Sequence, residues 1–224
     1  MSVLSSSIAR KVAMALSALF LIIFLIIHLA VNLTSLFSED VFNEMSHFMG
    51  TNPLIQFAMQ PVLIFGVVFH FVMGFVLELR NKRARNVKYA KFNGAASASW
   101  MSRNMVVSGA VILAFIVLHF IDFWIPEINT KYILGDMSGV LPGEEGFRYF
   151  EELQHKFANP VRVGAYVVAF VLLGLHLAHG FQSAFQSMGF NNKYTKCVIN
   201  FGTFYSIVIP LGFIIIALCH HFNH

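Results

Sequence analysis

The feature that most constrains this sequence is a set of long, nearly uninterrupted apolar stretches. Five are visible: Val12 to Leu33, about Ile55 to Leu79, Met105 to Ile125, Val161 to Phe181 and Val198 to Leu218. Each has roughly the 20 apolar residues that a helix needs to cross the hydrocarbon core of a bilayer. Composition agrees. Hydrophobic residues make up 57% of the 224 and charged residues 12%, against about 25% charged in an ordinary soluble domain. With a mean hydropathy of +0.70 and 25 Phe, a water-soluble globule has no means of hiding this surface. The same numbers exclude a disordered chain, a collagen and a disulfide-rich secreted domain. The first stretch is too long and uniform for a signal-peptide core, lacks a small-residue cleavage site after it, and carries a histidine near its far end. It reads as a retained span.

Charge gives the expected orientation. With the N-terminus cytoplasmic, the inner segments hold Arg10, Lys11, Arg80, Lys82, Arg83, Arg85, Lys88, Lys91, Arg103, Lys193 and Lys196, 11 of the 15 basic residues. The outer loops collect Glu39, Asp40, Glu44, Glu127, Asp136, Glu144, Glu145, Glu151 and Glu152. The positive-inside rule then places the N-terminus in the cytoplasm and the C-terminus outside. The net charge of +4 therefore needs no nucleic acid: the basic cluster from Arg80 to Lys91 looks like an inner loop, fit to dock a cytoplasmic protein or anionic lipid. The longest connection, Pro126 to Asn159, is broken by glycines, and Glu144 to Phe157 reads as a short amphipathic helix. Cys197 and Cys219 sit too far apart on one helix to bridge, roughly 33 Å. No internal repeat or low-complexity tract is evident.

Ten histidines stand out. His47 and His155 fall in outer loops, His220, His221 and His224 at the outer C-terminus, and His179 one turn beyond His176. The other four, His28, His70, His119 and His176, occupy the first four spans, one in each. An ionisable residue inside a span is costly and points to function. His28 follows Lys11 by 17 residues and His119 follows Arg103 by 16. Both helices run outward, so both histidines lie roughly 25 Å from the inner end. His70 follows Pro53 by 17 residues and His176 follows Pro160 by 16, on helices running inward. The chain thus offers an outer pair, His28 with His119, and an inner pair, His70 with His176.

Two facing imidazoles are the axial ligands of a low-spin haem b. A porphyrin held edge-on in a helix bundle also needs small residues beside its ligands. Gly74 and Gly180 follow His70 and His176 by four residues, on the ligand's own face, and Asn32 takes that place after His28. There is no CxxCH motif, so covalent c-type haem is excluded. No carboxylate or thiolate joins the histidines at mid-membrane, which disfavours a zinc or copper site.

At this point the sequence resembles a known family, the five-helix, two-haem cytochrome b membrane anchor of succinate:quinone and quinol:fumarate oxidoreductases. The likeness spans nearly the whole chain. It rests on SSSIARKVAMALSALFLIIFLIIHLAVNL at the start, FHFVMG around His70, and GLHLAHGFQSAFQSMGFNNKY around and after His176. The resemblance implies an all-α integral membrane protein, one transmembrane cytochrome b domain over residues 1–224, with a four-helix haem-binding bundle plus a fifth helix. It assigns His70 and His176 to a proximal haem b near the cytoplasmic subunits, and His28 and His119 to a distal one. It further implies a flavoprotein subunit and an iron–sulfur subunit on the cytoplasmic side, menaquinone or another quinone as substrate, and a bacterial cytoplasmic membrane. The chain would be the quinone-reacting electron-transfer subunit of the enzyme. It has no flavin-binding GxGxxG and no iron–sulfur cysteine set for the dicarboxylate chemistry itself.

Some relatives place an acidic residue near the outer end, between the first two spans, to handle quinol protons; that role falls here on Glu44, with His47 second. Lys11, Arg103 and Trp100 are the positions for the proximal haem propionates. A proton route in other relatives uses a carboxylate two residues before the fourth ligand, where this chain has Gly174, so no such route is expected. Two other classes fit the residues less fully. One is the cytochrome b anchor of a hydrogenase or formate dehydrogenase; the other is a transporter using the histidines for protons or metal.

Overall fold

The computed structural model describes residues 6–83, 104–140, 146–190 and 192–223. Of these, 88% are helical and none is in a β-strand. The helices are α1 (Ser7–Leu33), α2 (Glu39–Thr51), α3 (Ile55–Arg83), α4 (Met105–Ile133), α5 (Tyr149–Phe157), α6 (Pro160–Ser187) and α7 (Thr195–Phe222). Five of them, α1, α3, α4, α6 and α7, are long and apolar enough to cross a membrane, so this is a multi-pass membrane protein. Arg85, Lys88, Lys91, Trp100, Arg103, Glu144, Glu145 and His224 lie outside the described residues.

The sequence dictates where the helices begin. Ser38 caps α2, its side chain accepting from the Val41 N–H at 3.3 Å, and Glu39 and Asp40 follow in the first turn, where negative charge suits the helix dipole. Asn159 caps α6 by accepting from the Val161 and Arg162 N–H groups, and Pro160 occupies the first turn, where its missing N–H costs nothing.

Two prolines that ought to break helices do not. Pro61 and Pro126 each follow a π-helical turn, Ile55–Met59 and Phe120–Trp124. A proline ring strikes the carbonyl four residues back. Those residues, Phe57 and Asp122, sit in the middle of the widened turns, which make room for the ring. The expected loop start at Pro126 is therefore corrected: α4 runs on to Ile133. Of the expected outer helix from Glu144 to Phe157, the described part is helical over Tyr149–Phe157 and not over 146–148. Glu44 and His47 lie on α2 and not in an irregular loop.

Four spans form a ring in which α1 packs on α3, α3 on α4, α4 on α6 and α6 back on α1. α1 and α4 are thus diagonal, as are α3 and α6. The fifth span, α7, lies outside this ring against α6 and α1. Close approach there depends on glycine: a Cβ on Gly212 would come within 2.9 Å of Leu29, and one on Gly174 within 3.0 Å of the Ser206 carbonyl oxygen. The buried core, including Ile22, Leu29, Tyr166, Phe170, Leu177, Ile209 and Phe213, gathers where α1, α6 and α7 meet. Large apolar side chains such as Phe65, Phe57, Val161 and Ile207 face outward, as lipid contact requires.

Candidate functional site

The diagonals of the ring carry the histidines. The rings of His28 on α1 and His119 on α4 have centroids 5.8 Å apart at an interplanar angle of 85°. Those of His70 on α3 and His176 on α6 are 6.4 Å apart at 68°. The structure therefore brings together both pairs expected from depth in the sequence. Two imidazoles sharing one metal through nitrogens at about 2.0 Å place their centroids about 6.3 Å apart. The His70–His176 pair is set at that spacing, and the His28–His119 pair is about 0.5 Å closer.

Two independent rulers give the distance between the levels. On α1, Ser17 lies beside His70, with Oγ 3.1 Å from Nδ1, and His28 comes 11 residues later. On α4, Ser108 lies beside His176, again 3.1 Å from Oγ to Nδ1, and His119 comes 11 residues later. At the helical rise, each ruler reads about 16 Å along the bundle.

These contacts expose a recurrence that reading along the chain missed. Met14-x2-Ser17-x10-His28 on α1 is matched by Met105-x2-Ser108-x10-His119 on α4, and His70-x3-Gly74 on α3 by His176-x3-Gly180 on α6. The packing repeats as well: a Cβ on Gly74 would meet the Met14 Cε at 3.4 Å, and one on Gly180 the Met105 Cε at 3.3 Å. The space beside each glycine is thus filled by the tip of a methionine, the most adaptable of apolar side chains.

Around the His28–His119 pair the neighbours are aromatic. Phe24 stacks on His28 at 5.2 Å, and Phe115 and Phe123 flank His119 at 6.1 and 5.2 Å. One turn beyond His119, Asp122 is buried, accepts a hydrogen bond from the Tyr166 hydroxyl at 2.8 Å and pairs with Arg162 at 3.3 Å. Among the described residues, His119 Nδ1 is itself buried without a hydrogen-bond partner, unlike the serine-backed nitrogens of the other pair.

A charged cluster lies where α2, α4 and α5 meet. Glu127 pairs with both Lys131 and Arg148, and Lys131 also donates to the Gly50 carbonyl. Both cations are almost fully buried. Lys131 and Arg148 fall in the connection Pro126 to Asn159, expected to be an outer loop; only the continuation of α4 past Pro126 brings Lys131 inward. His47 joins this cluster, stacked on Phe147 at 4.0 Å with its Nδ1 3.4 Å from the Tyr149 hydroxyl. Gly139, at φ 69°, passes so close that a Cβ would meet His47 Nδ1 at 2.8 Å. Burial pulls the His47 imidazole below its ordinary pKa, Lys131 and Arg148 push the same way, and Glu127 opposes them.

Glu44 is exposed on α2. Lys11 lines an open hollow with Ile8, Ser183, Gln186 and Ser187, between the N-terminal end of α1 and the C-terminal end of α6. His220, set aside in the sequence, is buried and bonded to Ser35 Oγ at 2.9 Å, tying α7 to the end of α1. His221 Nδ1 bonds the Phe157 carbonyl at 2.8 Å. No protein-family model matches the chain, and neither a curated protein nor a solved structure is significantly similar to it.

Proposed function

We propose that this chain is the di-haem b membrane anchor of a succinate:quinone or quinol:fumarate oxidoreductase, carrying electrons between an iron–sulfur subunit and a quinone of the menaquinone type. The observation that carries the reading is the pair of imidazole couples facing each other across the two diagonals of the ring, with ring centroids 5.8 and 6.4 Å apart. Among the described residues no cluster of three or more His, Cys, Asp or Glu side chains is arranged to hold a metal. Each couple would supply two imidazole nitrogens to a group that brings its own remaining ligands. A haem held by two imidazoles would supply one-electron transfer without ligand exchange.

The chain's own residues then have separable tasks. His70 and His176 hold one centre, His28 and His119 the other, on helices far enough apart in sequence that the bundle itself sets the ligand spacing. Gly74 and Gly180 keep the ligands' faces free of side chains, with Met14 and Met105 as movable filling. Lys11, at the hollow beside the N-terminal end of α1, is placed to neutralise propionates of the His70–His176 centre. In this reading the N-terminus is cytoplasmic, the C-terminus is outside, and the flavoprotein and iron–sulfur subunits dock on the basic inner face. Glu44 remains the proposed acid for quinol protons, on a helix exposed at the opposite end.

The test is purification from native membranes under mild detergent. Reduced-minus-oxidised spectra and extraction should give two b-type haems per chain, together with a flavoprotein and an iron–sulfur subunit. One haem or none ends the reading; two haems with a hydrogenase or formate dehydrogenase module reassign the partner and keep the cofactors.

A further inference from the structure

We propose that Ser17 and Ser108 are positioning residues: each holds the opposing histidine, His70 or His176, in the Nδ1–H tautomer, which reserves both Nε2 lone pairs for a shared metal. The proposal rests on the di-haem reading and concerns one of its two centres.

The argument is a count of protons. A serine hydroxyl has one proton to give. Ser17 Oγ lies 2.8 Å from the Met14 carbonyl oxygen and 3.1 Å from His70 Nδ1. If Ser17 donated to His70, its oxygen would face the Met14 carbonyl at 2.8 Å with no proton between them. Both contacts are bonds only if Ser17 donates to Met14 and His70 donates to Ser17. Ser108 repeats the arrangement, 2.9 Å from the Met105 carbonyl and 3.1 Å from His176 Nδ1. Each imidazole thereby carries its proton on Nδ1, and its Nε2 is the bare nitrogen that a metal takes.

Packing alone does not account for the pattern. A buried serine that bonds the carbonyl three residues back is already satisfied locally, so neither serine needs a histidine. The histidines need an acceptor in an apolar bundle, and each obtains one from the same position of a Met-x2-Ser-x10-His segment, on two different helices. The other centre is built differently, since among the described residues His119 Nδ1 is buried with no partner. A hydrogen bond at the distal nitrogen orients a ligating imidazole and raises its basicity. Stronger donation favours the oxidised metal, so the serines lower the potential of the His70–His176 centre and leave the His28–His119 centre untouched.

The experiment compares Ser17→Ala, Ser108→Ala, Ser17→Thr and Ser108→Thr in the purified complex, by redox titration at the haem absorbance bands and by electron paramagnetic resonance of the ferric state. The alanine variants should raise the midpoint potential, or displace or abolish the resonance, of the His70–His176 haem alone. The threonine variants, which keep the hydroxyl, should retain the wild-type signal. Unchanged signals in both alanine variants overturn the proposal, as does an equal disturbance of both haems, which is what general loosening of the bundle produces. Wild-type protein without haem fails the preceding reading before any variant is made, so the two failures are told apart.

Discussion

Gly174 and Pro210 meet where α6 crosses α7: a Cβ added at Gly174 would lie 3.3 Å from Pro210 Cγ and 3.0 Å from the Ser206 carbonyl oxygen. The contact is a product of the proline. Lacking an N–H, Pro210 cannot bond the carbonyl four residues back, which is that of Ser206, and the freed oxygen faces the glycine of the next helix. Neither a ring nor a backbone oxygen yields easily. Gly174→Ala should destabilise the protein by about 1–3 kcal/mol, the usual cost of overpacking, seen as a lower midpoint in detergent thermal unfolding. The same crowding leaves no space for a carboxylate at this position, two residues before His176. An unchanged midpoint would mean that α7 slides freely on α6.

The pairing of ligands across diagonals makes a second prediction. On the proposed di-haem reading, replacing His70 or His176 with Ala should erase the same haem signal and spare the other, while His28→Ala and His119→Ala erase the second. Optical and paramagnetic spectra of the four variants read this directly. If His28 and His70, on adjacent helices, removed one signal together, the ring order of the helices would be wrong.

Glu127 is shared by two almost fully buried cations, Lys131 and Arg148. Removing the carboxylate leaves buried charge uncompensated, which typically costs about 3–5 kcal/mol. Glu127→Gln should therefore lower the unfolding midpoint far more than Glu152→Gln, because Glu152 meets Arg148 from a side chain 45% exposed and such pairs contribute at most about 1 kcal/mol. Equal effects in the two variants would show that the cluster is hydrated.

His47 gives the end of the molecule where α2 and α5 meet a pH dependence. Its folded-state pKa is lowered by burial and by Lys131 and Arg148, with Glu127 opposing. The folded state therefore binds the proton less readily than the unfolded chain, whose histidine titrates near 6.5. Stability contributed by the neutral ring is complete above about pH 6.5 and declines as pH falls from there through the folded-state pKa. Thermal unfolding between pH 5 and 8 should show this slope, and His47→Phe, which keeps the stack on Phe147, should flatten it. A slope that persists in the variant would belong to another group.

The parts legible in the sequence share a cause: they depend on rise and hydropathy, which are fixed per residue. The five spans and the depth pairing of His28 with His119 and His70 with His176 follow from counting along helices. What depends on azimuth or on neighbouring helices was not legible. Ser17 and Ser108 look like ordinary small residues until the face they share with a histidine is known. Lys131 reads as a loop cation because a proline precedes it, and the π turn at Phe120–Trp124 that carries the helix past Pro126 has no strong signature. His220 was set aside for its position near the chain end, yet its ring is buried against Ser35.

The diagonal arrangement also imposes an order on biogenesis. Neither pair draws both histidines from one helical hairpin: His28 waits for His119 on the third span, and His70 waits for His176 on the fourth. As the chain emerges from its N-terminus, the first couple is complete once three spans are inserted, whereas the second requires one more. The couple that straddles α1 and α4 is thus the earlier to be complete, and a chain truncated before α6 retains both members of one couple and only half of the other.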